Sequence, residues 1–357
     1  MTAADRVSVD LAEAGTRARG DVAAALRLPD THSEAFPLPG AGRTWRLWTS
    51  LAVLGSVDLT VARAVEPHLD ALAILAEAGA AGHRLQVPDE EQARWGVFAA
   101  EGPGARLEAD ESTATTTLNG RKPWCSLAGS LDRALVTAWC NDSTRRLYAV
   151  QLGAANGVAI EEGAWVARGL PLVPSGPVTF TGSSAHPVGP PGWYLERPGF
   201  AWGGMGVAAI WWGAAVGVAR RLRTQLRQRE PDQVGLMHLG VVDAALGAAS
   251  ALLEQAAAAV DGGAADGAAG AALALRVRRV VALTAEDVLR RVGHALGPAP
   301  LALEEEHAGR VADLSLYLRQ EHAERDAAAL GRLVLEHSTA GSADASDAST
   351  SGSEVLW

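Results

Sequence analysis

Between residues 94 and about 198 the sequence changes texture, and that change restricts the fold more than any other feature. Short β-prone runs at 95–98, 115–118, 133–139, 147–152 and 178–180 are punctuated by Asn119-Gly120, Asn141-Asp142, Asn156-Gly157 and Ser175-Gly176-Pro177. Runs of this kind, bounded by residues that suit turns, read as strands. Several in succession suggest a small β-barrel or sandwich. On both sides apolar residues recur at helical spacing instead. Before the β region the pattern covers 47–63 and 71–78, with Pro37, Pro39 and Gly40 breaking it upstream. After it, the pattern covers 208–226, 236–260, 271–296 and 304–336, with loops at Pro231, Gly262-Gly263 and Pro298/Pro300. Four long helices are the number for an antiparallel bundle. The expected fold is therefore mainly α with a central β domain. It divides into an N-terminal helical domain at 1–93, a small β-barrel at 94–198 and a C-terminal four-helix bundle at 199–337. A Ser/Ala/Asp-rich tail at 338–357 has few core formers and is expected to be disordered.

Composition excludes several function classes. A chain of 357 residues that is 48% hydrophobic can bury two or three packed units. Its formal charge of -10 is spread without a Lys/Arg cluster, so neither nucleic acid nor an anionic membrane is expected as a partner. Cys125 and Cys140 make no disulfide framework and lack metal spacing. Glu304-Glu305-Glu306-His307 has no second histidine at metal spacing, so no metal site is expected. Gly204-Met205-Gly206-Val207-Ala208-Ala209 mimics a dinucleotide fingerprint, but no strand precedes it and helices follow. The first ten residues are polar and acidic, and the apolar run 207–219 is short and interrupted by Gly213 and Gly217. A cytoplasmic location is expected from these features.

The stretch Leu118-Asn119-Gly120-Arg121-Lys122-Pro123-Trp124-Cys125-Ser126, followed by Ala134-Leu135-Val136-Thr137-Ala138, points to chemistry. It resembles the Leu-Asn-Gly-x-Lys-x-Trp-Ile-Thr motif that lines the flavin in the acyl-CoA dehydrogenases, whose helical, β, four-helix plan matches the texture above. Asn119-Gly120 is by itself a hairpin turn signal, and an ordinary hairpin with a core tryptophan would also carry it. Glu66-x-His68-x-Asp70-Ala71-x-Ala73-Ile74 resembles the N-terminal helical pattern of a short, divergent bacterial branch. Arg197-Pro198-Gly199-Phe200 leading into Gly206-Val207-Ala208-Ala209 resembles the crossing into the bundle.

The resemblance implies FAD as cofactor and α,β-dehydrogenation of an acyl-thioester, in which a carboxylate takes the α-proton and flavin N5 the β-hydride. Trp124 would supply an aromatic wall and Ser126 a donor to the flavin edge. Ala100 stands where the family's flavin-edge loop has threonine, leaving backbone amides as donors. Arg229 falls in register with an arginine that contacts the flavin pyrophosphate across a subunit interface, and also reads as an exposed surface arginine. His294 and Gly297 match a Gln-x-x-Gly element, with Asp313 and the catalytic Glu321 in register beyond it. Glu321 also reads as part of a solvated, charged helix face with an i,i+4 partner in Arg325. The family's alternative base position falls near Gly203, and its substrate-positioning arginine is replaced by Trp202-Gly203-Gly204-Met205. Expected partners are an acyl-thioester or other small molecule, an electron-transfer flavoprotein, and further copies in a homodimer or homotetramer. The runner-up is a catalytically impaired partner subunit of a heteromeric enzyme. A flavin monooxygenase with His322 or His294 near the flavin is a weaker alternative.

Overall fold

A computed structural model describes residues 3–83, 93–161, 163–228 and 230–343. The N-terminal part contains α1 (Ala3–Arg17), the short α2 (Val22–Leu26) and α3 (Leu28–Thr31), then α4 (Thr44–Val57) and α5 (Leu59–Ala80). The predicted helix over 47–63 is in fact split. Asp58 leaves α4 in an extended conformation and caps α5, its side chain accepting from the Val61 N–H. A short acceptor at that point satisfies an orphan donor and makes a new helix start cheaper than continuation. Helix α5 takes in the whole predicted 71–78 run and the end of the first, carrying Pro67 inside it.

The β region comprises β1 (Trp95–Phe98), β2 (Leu107–Asp110), β3 (Thr116–Lys122), β4 (Arg133–Trp139), β5 (Arg145–Gln151), β6 (Val158–Ile160) and β7 (Val178–Val188). Strand β4 pairs with β2 and β5, and the order β2–β3–β7–β5 returns to β4, closing a small barrel. β1 extends the β2 edge of β4, and β6 pairs with β7. Asn119-Gly120 is not a turn. It lies inside β3, where the register with β7 slips between Leu118 and Gly120. Gly120 has φ +120, and a Cβ there would stand 2.2 Å from the Arg106 carbonyl. The dipeptide that suits a turn here makes a β-bulge, which needs the same backbone freedom.

The chain then passes through α6 (Trp193–Glu196) into α7 (Pro198–Arg227), α8 (Gln233–Asp261) and α9 (Gly267–Leu296). The fourth predicted helix, 304–336, is broken. After α10 (Ala299–Leu303) come α11 (Glu305–Tyr317), a single 3-10 turn at Leu318–Gln320, and α12 (Glu324–Ala343). Glu321 sits in extended backbone at the break, and Ala323 has φ +49. Part of the predicted disordered tail, 338–343, is helical; its remainder, 344–357, lies outside the described residues.

The N-terminal helices and the bundle share one core that includes Leu54, Val61, Trp48, Met205, Trp211, Val281 and Tyr317. The barrel has its own, around Phe98, Leu118, Val136, Tyr148 and Phe180. A third cluster joins Ala71, Ile74 and Ala78 of α5 to Trp95, Leu135 and Val188 of the barrel. Helix α5 is thus the common wall of both layers. Helix α7 crosses α4 so closely that a Cβ on Gly213 would lie 2.0 Å from the Ala52 carbonyl oxygen. Gly213→Ala is therefore expected to destabilise the fold by about 1–3 kcal/mol through overpacking. Gly240→Ala, on an exposed part of α8 with no atom within 4 Å of the new methyl, is the control. It is expected to stabilise by up to about 1 kcal/mol, since a helix-interior glycine is replaced by alanine. Paired thermal or urea unfolding checks both signs.

Candidate functional site

Barrel and helical layer meet along a seam at the end of the motif, where Ser126 bonds to α5. Trp124 adopts a left-handed conformation with φ +59 and leaves its side chain exposed. Cys125 turns inward, its thiol pushed up to about 12 by burial, which makes it a core residue and not a nucleophile. The Ser126 hydroxyl meets Ser175 Oγ at 2.8 Å and accepts a 3.0 Å hydrogen bond from Arg63 of α5. Arg63 is buried, pairs with Glu66 at 2.7 Å, and stacks 5.0 Å from the centroid of the Tyr317 ring. One guanidinium therefore links the barrel motif to the end of α11, just before the break that carries Glu321. Burial pushes the Glu66 carboxyl upward, and Arg63 offsets part of that.

Glu321 is buried, contrary to the reading as a solvated face, and its partner is not Arg325. Arg279 of α9 approaches its carboxylate at 3.3 Å, and the Ala323 N–H donates to it at 3.0 Å. The neighbouring Arg278 donates to the carbonyls of Gly204 and Gln320 and lies 4.7 Å over the Trp211 ring. Asp313 accepts a 2.5 Å hydrogen bond from the Leu170 N–H, so it anchors the barrel's 165–175 loop to the bundle.

Of the other sequence-derived residues, Ala100 lies in a loop packed on the motif, where a Cβ on Gly102 would stand 3.2 Å from Pro123 and 3.7 Å from Trp124 Nε1. Ala100 is exposed just beyond β1. In the same loop Glu101 pairs with the buried Lys122 at 2.5 Å. Arg229 lies outside the described residues. His294 is exposed at the end of α9 beside His238, and Gly297 ends that helix with φ +70. Arg279 and His294 are fifteen residues apart on α9, about 22 Å along its axis at 1.5 Å per residue.

Sequence reasoning missed the charged face of α5. Arg63, Glu66, Asp70 and Glu77 recur at helical spacing on a helix that is otherwise apolar and buried, and that recurrence was the available signal. His68 between them is structural: its Nδ1 accepts from the Trp95 N–H, and burial, aided by Arg94, depresses its pKa to about 4. Glu66 and Asp70 border two adjoining cavities together with Arg197 and Gly203. The first, about 290 Å³, is walled by Phe36, Leu47, Trp48, Leu51, Leu69 and Trp202. The second, about 480 Å³, adds Tyr194, Glu196, Arg278, His322 and Asp326. The bare backbone of Gly203 makes room for Asp70, whose Oδ1 is 3.1 Å from where a Cβ would be; Gly204 does the same for Arg278.

Asp70 is the most perturbed carboxyl of the seam. Burial pushes it up to about 7, with Glu66 and Glu77 adding repulsion and Arg197 opposing them. Between its ordinary value of 3.8 and about 7, the folded chain holds a proton there that the unfolded chain has released. Stability therefore falls as pH rises across that window. Asp70→Asn mimics the protonated form, so its stabilisation relative to wild type is expected to grow from pH ~4 and level off above ~7. Melting temperatures across that range test this; a pH-independent difference would refute it.

No protein-family model and no curated protein matches the chain. Solved structures do. FMN-bound TdsC from Paenibacillus sp. A11-2 is 18% identical with a TM-score of 0.75, covering 94% of this chain and 98% of that one. Butyryl-CoA dehydrogenase from Megasphaera elsdenii is 16% identical with a TM-score of 0.71, covering 94% and 99%. The Tcur3481-Tcur3483 steroid ACAD is 20% identical with a TM-score of 0.68, covering 94% and 96%. Helical layer, central barrel and broken-helix bundle together give this chain the acyl-CoA dehydrogenase fold.

Proposed function

We propose that this chain is a flavin-dependent oxidoreductase that binds FAD at the seam between barrel and helices and oxidises a small molecule in the adjoining cavities. The observation that carries this reading is the hydrogen bond from Arg63 to Ser126, two residues from the exposed Trp124, with Arg63's partner Glu66 bordering both cavities. The donor set suits a flavin: an accessible indole face for the ring system, and a hydroxyl and a guanidinium for its polar edge. A flavin bound there supplies a two-electron acceptor. Arg63 would hold positive charge at that edge, beside the Ser126 hydroxyl. Buried Tyr317 and Trp211 keep water from the bundle side of the seam. Support from outside comes from TdsC, whose structure is FMN-bound, and from two structures named as dehydrogenases.

The finer reading, dehydrogenation of an acyl-thioester, assigns proton abstraction to Glu321. For that, its carboxylate has to exchange Arg279 and the Ala323 N–H for substrate. A purified preparation is expected to be yellow and to release FAD on denaturation. A colourless chain that takes up no flavin would instead favour a non-catalytic partner subunit. The feature that favours this second reading is Arg63 itself, which bridges Ser126 and Tyr317 and closes the seam. Anaerobic bleaching by a panel of acyl-CoAs tests the finer step. Glu321→Gln is expected to keep the flavin and lose bleaching; unchanged bleaching would remove Glu321 as the base.

The proposal includes self-assembly and a cytoplasmic enzyme that passes electrons to a flavoprotein acceptor. Helix α8 is long and apolar, yet only 22% of its most apolar window is buried, leaving Val234, Leu236 and Met237 exposed. With His294 and Gly297 remote from Trp124, a second copy could also bring those residues to the far half of FAD. Light scattering is expected to give a dimer or tetramer that Leu236→Glu dissociates; a monomeric wild type would contradict this.

A further inference from the structure

Asp70 stands at the throat between the two cavities. It borders both, and so do Glu66, Arg197 and Gly203. The first chamber is apolar apart from that throat and Glu77. The second has more carboxylates than guanidiniums: Glu66, Asp70, Glu196 and Asp326 against Arg197 and Arg278. Most of these charges are already committed. Glu66 pairs with Arg63, Glu77 with Arg197, and Asp326 with His322. Arg278 spends its donors on two backbone carbonyls. Asp70 accepts no hydrogen bond from a described residue, and its nearest cation, Arg197, is 3.8 Å away. Arg197 is itself buried, borders both chambers, and has an Nε without a hydrogen-bond partner. A partly exposed carboxyl so loosely paired, facing a cavity, keeps acceptor capacity for a ligand, and the unpartnered Arg197 Nε beside it is costly to leave buried.

From this arrangement we infer that Asp70 receives the protonated amine of a substrate whose apolar body lies in the chamber lined by Leu47, Trp48, Leu51, Leu69 and Trp202. This deepens the flavoenzyme reading and rests on it for the reaction, but not for binding. Gly203 sets the size of the throat, because any side chain there would press on Asp70.

Amine binding should be coupled to the ionisation of Asp70. The charged or titratable groups around that carboxyl are Glu66 and Glu77 on α5, Tyr194 on α6, Arg197, Arg278 on α9, and His322 and Asp326 at the start of α12. The two α5 carboxylates and burial hold Asp70 up at about 7, so a cationic ligand has to draw it into the charged form.

The test uses the full chain, titrated calorimetrically with phenethylamine and, separately, with hydrocinnamate, which has a similar body and a carboxylate in place of the amine. Flavin content is read in the same samples from the visible spectrum, so failure of the flavin reading and failure of this one are distinguishable. Phenethylamine is expected to bind about tenfold more tightly at pH 8 than at pH 6, following the fraction of ionised Asp70. Hydrocinnamate is expected not to bind. Asp70→Asn should abolish both the amine affinity and its pH dependence, and Gly203→Leu should block the throat and weaken binding in an otherwise intact Asp70 background. Circular dichroism confirms that each variant is folded. Equal binding of the two probes, amine binding that survives Asp70→Asn in folded protein, or no binding of phenethylamine to wild type would each overturn the inference.

Discussion

A buried guanidinium on α5 holds the two halves of this molecule together at the place where its chemistry would occur. Arg63 donates to Ser126 in the barrel motif, pairs with Glu66 one turn along its own helix, and stacks on Tyr317 at the end of α11. A charge in such a position is tolerated only because its partners are in place; removing one partner of a buried pair typically costs about 3–5 kcal/mol. The fold therefore depends on α5 being long and continuous, since its two ends must reach the bundle core and the barrel wall at once. The cap at Asp58 fixes where that helix begins, and so where Arg63, Glu66 and Asp70 point.

The same helix organises the electrostatics. Each of its carboxyls Glu66, Asp70 and Glu77 meets an arginine: Arg63 on the same helix, or Arg197 at the entrance to α7. Two of the three form short pairs, and Asp70 is left at 3.8 Å. Gly203 and Gly204 on α7 have no side chains, and the space is filled from α5 by Asp70 and from α9 by Arg278. An acid and an arginine thus reach α7 from neighbouring helices, although α7 itself offers neither at those two positions.

Much of the architecture was legible because texture follows burial. Strands β1 and β4 coincide with their β-prone runs, and the long helices α7, α8 and α9 contain their apolar runs. Local chemistry was harder to read, because one dipeptide serves several backbone roles. Asn119-Gly120 suits a turn and a bulge equally, and only its pairing with β7 decides between them. The fourth helix broke at 318–323, where neither proline nor glycine announces a stop; tertiary contacts from Arg278 and Arg279 capture Gln320 and Glu321 instead. Burial of Glu321 was hidden for the same reason: its local run is charged, but its partner lies 42 residues away. Trp124 and Ser126 were found through their motif. Arg63 had no motif and Asp70 stood in one that gave it no role; their roles come from what the fold sets against them.

The central claim is that the Trp124–Ser126 edge, completed by Arg63, is a flavin surface. Equilibrium titration of flavin-stripped protein with FAD, for wild type and for Trp124→Ala, tests it most directly. Loss of base-stacking surface worth about 1.4 kcal/mol corresponds to tenfold in affinity, so the variant should bind FAD at least about tenfold more weakly while remaining folded. Equal affinity of the two proteins, or no FAD binding by wild type, would contradict the claim.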